Sequence, residues 1–177
     1  VDKGFDRRHV LRGDGARLAH ALQDAVVLVR AQPRVPDRLG QVVDGESARQ
    51  RGVEVLLENI PNGFSSAERL QLFLEITHLD LNFCLDVGHA HINEGIEAAY
   101  DIMKERIRST HIHDNDGKED KHLMPFLAAG GTIDWGEAKE LLRSRGDQYP
   151  LVLELKEAAD RPHPLDDARA IFDRLEE

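Results

Sequence analysis

The sequence has a single cysteine, Cys84. One thiol cannot close an intramolecular disulfide, so a stapled scaffold is excluded and a reducing compartment is expected. No apolar run approaches the roughly 18 residues that a membrane-spanning helix needs. The segment from Val1 to Gly15 is charged and lacks a signal-peptide core. Positive charge is scarce as well: 23 Lys and Arg against 33 Asp and Glu leave a net charge of −10. An acidic chain repels phosphate backbones and anionic lipid, so neither nucleic acid nor a membrane is an expected partner. Gly130-Gly131 is not a phosphate loop, because no GxxxxGK[ST] or GxGxxG accompanies it. Low-complexity stretches and internal repeats are also missing. What remains is a soluble, cytoplasmic chain of 177 residues, 41% hydrophobic and 32% charged, large enough for one real core. It opens on Val1 rather than Met, so a trimmed N-terminus is expected.

Short apolar runs alternate with amphipathic helical stretches. The runs are Ala25–Val29, Val53–Leu57, Leu81–Leu85, Ile107–Ile112 and Leu151–Leu155. Several show little alternation, as strands covered on both faces do. Helical periodicity falls at about 37–51, 65–78, 94–105, 135–145 and 164–175. Ser65-Ser-Ala-Glu68 matches a capping box, and Asp134 is placed to cap the helix opened by Trp135. Gly52 and Gly146 stand where helices should end. This rhythm predicts an α/β architecture of parallel strands joined by helical crossovers. Residues 18–25 could form a helix leading into the first strand, and residues 1–24 receive no assignment.

The polar residues that end each apolar run carry the functional signal. Val53–Leu57 runs into Glu58-Asn59, and Leu81–Leu85 into Asp86-Val-Gly-His89. The next run ends in His111-Ile-His113-Asp114-Asn115, and the last holds Glu154 and Lys156. A parallel barrel gathers the carboxyl ends of its strands at one mouth. Any one of these acids could be an ordinary helix cap or a solvated loop residue. Four successive strands each bringing a metal-capable group predict a polyvalent site. Five of nine histidines fall between His89 and His122, well above an even spread. Strand alternation puts His111 and His113 on one face. Glu58, Asp86, His111 and Glu154 supply three carboxylates and one imidazole, a set suited to octahedral Mn²⁺, Mg²⁺ or Co²⁺. His89, Asp120 and His122 form a second candidate set, richer in nitrogen and better for Zn²⁺. His9, His20, His78 and His163 read as surface residues, Cys84 as a core residue, and Trp135 as a packing residue. Glu54 shares a face with Glu58, and an inward charge there needs a partner.

Gly52-Val-Glu-Val-Leu-Leu-Glu58-Asn59, Cys84-Leu-Asp86-Val-Gly-His89-Ala-His91, His111-Ile-His-Asp114-Asn, Asp120-Lys-His122, Gly131-Thr-Ile-Asp-Trp135 and Leu151-Val-Leu-Glu154 occur in this order. Together they resemble the xylose-isomerase-like TIM-barrel superfamily, which holds sugar isomerases, epimerases and repair enzymes of the endonuclease IV type. The likeness covers roughly residues 40–175 and corresponds to the last four strands of that barrel. It implies a (β/α) TIM-barrel type of fold, here partial, with about four to five of eight βα units in residues 25–177. By the same likeness Glu58, Asp86, His111 and Glu154 hold a divalent metal, with Glu58 and Glu154 also the catalytic base and acid. His89 matches a position that binds substrate in the isomerases and a further zinc in the repair enzymes, where Asp120 and His122 match the other ligands. Two departures stand out. Met124–Gly131 replaces the superfamily's Leu-Gly-Glu-Gly stretch, and Val26–Val29 ends in Arg30 where a histidine is expected.

The implied activity is a divalent-metal-dependent sugar or sugar-phosphate isomerase or epimerase, moving a proton through a metal-stabilised enediolate. The alternatives are a zinc-dependent, AP-endonuclease-like phosphodiesterase on abasic DNA and a non-catalytic barrel fragment. The charge of −10 counts against the first of these. An open half-barrel exposes strand edges, so homo-oligomerisation or association with a missing N-terminal half is expected.

Overall fold

A computed structural model describes residues 27–31, 48, 50–145, 150–156 and 159–177. The helical periodicity at 37–51, the possible helix at 18–25, His9, His20 and Gly146 lie wholly or mostly outside them. One five-stranded sheet runs β1 (Val27–Ala31), β2 (Val53–Glu58), β3 (Asn82–Asp86), β4 (Ile107–Ile112) and β5 (Leu151–Leu153), in chain order. β2 to β5 are parallel, and α1 (Ala67–Thr77), α2 (Val87–Ile92), α3 (Ile96–Met103) and α4 (Trp135–Arg143) lie along the crossovers. α5 (Pro164–Glu176) follows β5. The result is a parallel four-strand half-barrel. No described helix is long and apolar enough to cross a membrane.

β1 departs from the sequence expectation. It pairs antiparallel with β2, Val27 opposite Leu57 and Ala31 opposite Val53. Its carboxyl end therefore lies at the far end of the sheet from Glu58. That direction explains why Arg30 stands where a histidine was expected: β1 is not the barrel strand preceding β2.

Strand burial is nearly continuous in β2, β3 and β4, which is what their Val, Leu and Ile content predicts. Leu57, Phe83, Leu85, Ile107 and Ile112 join one core with Leu70, Leu74, Tyr100, Met103, Trp135, Ile171 and Leu175 from the helices. At the opposite strand end, Glu54 Oε1 accepts from Asn82 Nδ2 at 2.7 Å, which supplies the partner its charge requires.

The helix ends differ in detail from the motifs. Ser66, not Ser65, caps α1 by accepting from the Arg69 amide. Glu94, which is 27 residues away, accepts the Ala67 amide at 2.7 Å. A carboxylate from the neighbouring crossover thus satisfies a first-turn amide, while the Ser65 amide goes to Asn62 Oδ1 instead of Glu68. Asp134 caps α4 as expected, accepting from the Gly136 and Glu137 amides. The stretch from residue 94 shortens to Ile96–Met103 because Gly95 takes φ 94° at the helix start. A further short helix, α2, begins directly at the end of β3.

Candidate metal centre

Glu58 ends β2, Asp86 ends β3, His111 lies one residue before the end of β4, and Glu154 follows β5 by one residue. Parallel pairing sets Asp86 opposite His111 and His111 opposite Val152, so these ends meet at one mouth. One donor atom from each of Glu58, Asp86, His111 and Glu154 lies within 4.8 Å of all the others. His111 Nδ1 stands 2.8 Å from Glu58 Oε1, 2.8 Å from Glu154 Oε2 and 3.6 Å from Asp86 Oδ2. Glu58, Asp86 and His111 are buried, whereas Glu154 is exposed on the open side.

Asn59 holds Asp86 by its backbone. Its Nδ2 donates to Asp86 O at 2.9 Å, and its Oδ1 accepts the Asp86 amide at 2.7 Å. Asp86 Oδ1 in turn accepts the His89 amide at 2.7 Å, and so serves as the N-cap of α2. Asp86 Oδ2 has no hydrogen-bond partner among the described residues. A fully buried carboxylate oxygen left this way costs free energy unless a cation or proton meets it. His111 answers in part. Burial opposes its charge, but hydrogen bonds with Cys84 and Glu58 and the negative charge of Glu58 outweigh that, and its pKa is pushed up to about 11. An imidazole that keeps its proton this firmly reports a strongly negative pocket, and a divalent cation suits it. Burial pushes the Cys84 thiol up, so that residue stays a neutral core group.

Beside this set stands a second one. His89, His113, Asp120 and His122 also bring donor atoms within 4.8 Å of one another. The three imidazoles share one arrangement. His89 Nδ1 lies 2.8 Å from Asn59 O, His122 Nδ1 2.9 Å from Glu154 O, and His113 Nδ1 3.4 Å from Asp114 O. A ring nitrogen facing a carbonyl carries a hydrogen, which turns each Nε2 toward the carboxylates. Two of these Nε2 atoms face Asp120 Oδ2, from His89 at 3.3 Å and from His122 at 3.0 Å. Lone pairs facing a carboxylate repel unless a proton or metal ion sits between them. This is the outer-shell arrangement that orients histidine ligands. His113 Nε2 faces Asp86 Oδ1 at 3.1 Å, and although burial opposes its charge, this hydrogen bond and the charge of Asp86 push its pKa up. Asp120 Oδ1 is a further buried atom without a hydrogen-bond partner among the described residues.

His113 was absent from the candidate ligands, although the alternation with His111 had turned it inward. The rings of His113 and His122 stack at 4.0 Å, and a Cβ at residue 88 would overlap the His113 ring, so only glycine fits there. His122 itself takes φ 47°, a left-handed backbone uncommon outside glycine. The loop that presents Asp120 and His122 is tied down by Asp114. Its backbone pairs with Leu123, and its carboxylate accepts Trp135 Nε1 at 2.8 Å and the Asn115, Thr132 and Ile133 amides. Trp135 is therefore an anchor of loop and helix, as its packing role predicted. His91 bonds Thr132 and belongs to neither set, while His78 and His163 are exposed as expected.

Comparison with known proteins agrees with this geometry. A family profile described as Xylose isomerase-like TIM barrel matches residues 14–176. The uncharacterised protein MJ1311 of Methanocaldococcus jannaschii is 30% identical over 124 residues, covering 65% of this chain and 41% of that protein. Among solved structures, a D-tagatose 3-epimerase-like protein superposes with a TM-score of 0.58 at 26% identity, covering 74% of this chain and 51% of its own. The 3-keto-D-glucoside 4-epimerase YcjR of E. coli gives a TM-score of 0.59 at 19% identity, covering 72% and 49%. The chain spans less than half the length of the curated relatives it matches. With strand ends, donor groups and profile in agreement over nearly its whole length, this chain belongs to the xylose isomerase-like TIM-barrel family.

Proposed function

We propose that this chain carries the catalytic mouth of a divalent-metal-dependent sugar or sugar-phosphate isomerase or epimerase. The observation that supports it is the convergence of Glu58, Asp86, His111 and Glu154 donors within 4.8 Å at the ends of four parallel strands. These four would hold Mn²⁺, Mg²⁺ or Co²⁺, since oxygen-rich sets with one imidazole favour such ions. When bound, the ion supplies Lewis-acid stabilisation of the negative charge that develops on substrate oxygens. Glu58 and Glu154 flank His111 at 2.8 Å each and act as the pair that takes a proton from carbon and returns one. Glu58, with a side chain only 3% exposed, keeps its proton from solvent, while Glu154 at 46% exchanges with it. Asp86 and Asn59 fix the floor between them. His89 Nε2 accepts a substrate hydroxyl, or joins His113, Asp120 and His122 around a second ion, for which their nitrogen content favours Zn²⁺.

That second set supports one other reading, a zinc phosphodiesterase on abasic DNA. The net charge of −10 opposes the DNA contact such an enzyme needs. Solvent-deuterium exchange into a panel of ketoses and aldoses, run beside an abasic-DNA nicking assay, separates the two. The isomerase reading expects exchange that falls at least about 10²-fold in Glu154→Gln and in Glu58→Gln, the usual loss for a positioned acid or base. His89→Asn is expected to act mainly on KM. Nicking without exchange would overturn the isomerase reading, and silence in both assays would favour a non-catalytic fragment.

A further inference from the structure

Beyond β5 the exposure of the chain alternates. Leu151, Leu153 and Leu155 are half-buried, whereas Val152, Glu154 and Lys156 are exposed. The Glu154 amide donates to Ile112 O and the Lys156 amide to His122 O, each at 3.2 Å, so an extended spacing continues past the last ladder residue. With a period of two, Lys156 shares the face of Glu154 and lies one step farther out of the barrel. That face is the one turned to the centre, because Glu154 Oε2 reaches His111 Nδ1. Lys156 Nζ then bends over the neighbouring loop and donates to Asp120 O at 2.9 Å.

One ammonium hydrogen is used in this contact. No carboxylate lies in ion-pair range of Lys156 among the described residues, while nearby Lys121 is held by Asp116 and Glu119, and Arg161 by Asp167. Lys156 is thus a tethered cation on a rim otherwise built of carboxylates and imidazoles. Glu58, Asp86, Glu154 and Asp120 face the two donor sets. Two divalent ions would neutralise all four, and the charge of Lys156 would be the surplus. Two residues along an extended strand span about 6.6 Å, the reach of a short carbon chain.

Building on the isomerase reading, we propose that Lys156 selects a phosphorylated sugar by pairing with the phosphate of a substrate whose reacting carbon lies at Glu154. An ammonium on a flexible stem suits a phosphate monoester as a point charge, with no fork geometry to satisfy. The tether to Asp120 O holds the stem over the mouth and lowers the entropy lost when the anion arrives.

The test uses the full chain loaded with Mn²⁺ and compares it with Lys156→Met, which keeps the stem and removes the charge. D-Erythrulose, D-ribulose, D-xylulose and D-fructose, each free and as its terminal phosphate ester, are titrated calorimetrically and assayed for deuterium exchange. Wild-type protein should bind at least one ester roughly ten- to hundredfold tighter than its free sugar, the worth of one charged hydrogen bond. In Lys156→Met the two forms should come within about twofold of each other. Equal binding of ester and free sugar by wild type, or an undiminished preference in the variant, overturns the proposal. So does a parallel loss of both forms, the mark of a lysine that only props the Asp120 loop. If wild type neither binds nor exchanges any sugar in either form, the isomerase reading itself fails, and the proposal with it.

Discussion

His111 is the residue on which the charge balance of the first donor set turns. Without a cation its proton is held up to about pH 11, so it is charged at neutral pH. This raised pKa stabilises the metal-free fold fully below the ordinary value near 6.5 and less as pH climbs through 11. A metal ion at Nδ1 must expel that proton. Metal binding is therefore expected to release about one proton from this residue, and affinity to fall about tenfold for each unit of acidification across neutral pH. Calorimetry in buffers of different ionisation enthalpy measures both; a pH-independent affinity with no proton released contradicts the assignment. Much at this scale was legible beforehand. Glu58, Asp86, His111 and Glu154 end successive apolar runs, and that pattern survives any uncertainty about helix limits. His113 was less legible, since a histidine two residues past another can serve the same set or the next one. Only the turn of its ring, admitted by Gly88, decides.

At the scale of elements, the segment from Asp114 to Trp135 is held by one carboxylate rather than by regular structure. Asp114 is buried and accepts one indole and three backbone hydrogen bonds. Asp114→Asn puts an amide group where only acceptors fit, at an expected cost of about 1–3 kcal/mol. Urea unfolding reads that loss, and metal titration should show the Asp120 and His122 set weakened before the Glu58 set. An unchanged midpoint would mean that the loop is held in another way. The periodicity of apolar residues located β2 to β5 and most helices to within a few residues. It could not show the direction of β1, because a run of Val and Leu reads alike parallel or antiparallel. The Ser65 motif likewise could not reveal that Glu94 would take the Ala67 amide, a contact made only by folding.

For the whole molecule, half a barrel raises the question of its open side. β4 is the one strand partner of β5 among the described residues, and Val152 within β5 is 41% exposed. An open parallel edge with apolar neighbours favours association. Sedimentation velocity is expected to show concentration-dependent self-association, and a compact monomer at all concentrations would refute it. The partial extent was itself readable, because four or five strands are too few to close eight. The central claim is that one divalent ion links Glu58, Asp86, His111 and Glu154. Its most direct test is titration of Mn²⁺, followed by its electron paramagnetic resonance, into chelator-treated wild-type and Asp86→Asn proteins. Asp86 Oδ2 is buried, with no hydrogen-bond partner among the described residues and His111 Nδ1 at 3.6 Å, so losing its charge should weaken the site by at least about tenfold, the loss that even outer partners of a metal ion cause. Wild type with one tight site and a variant that loses it is the result expected. Asp86→Asn binding Mn²⁺ as tightly as wild type would contradict the account.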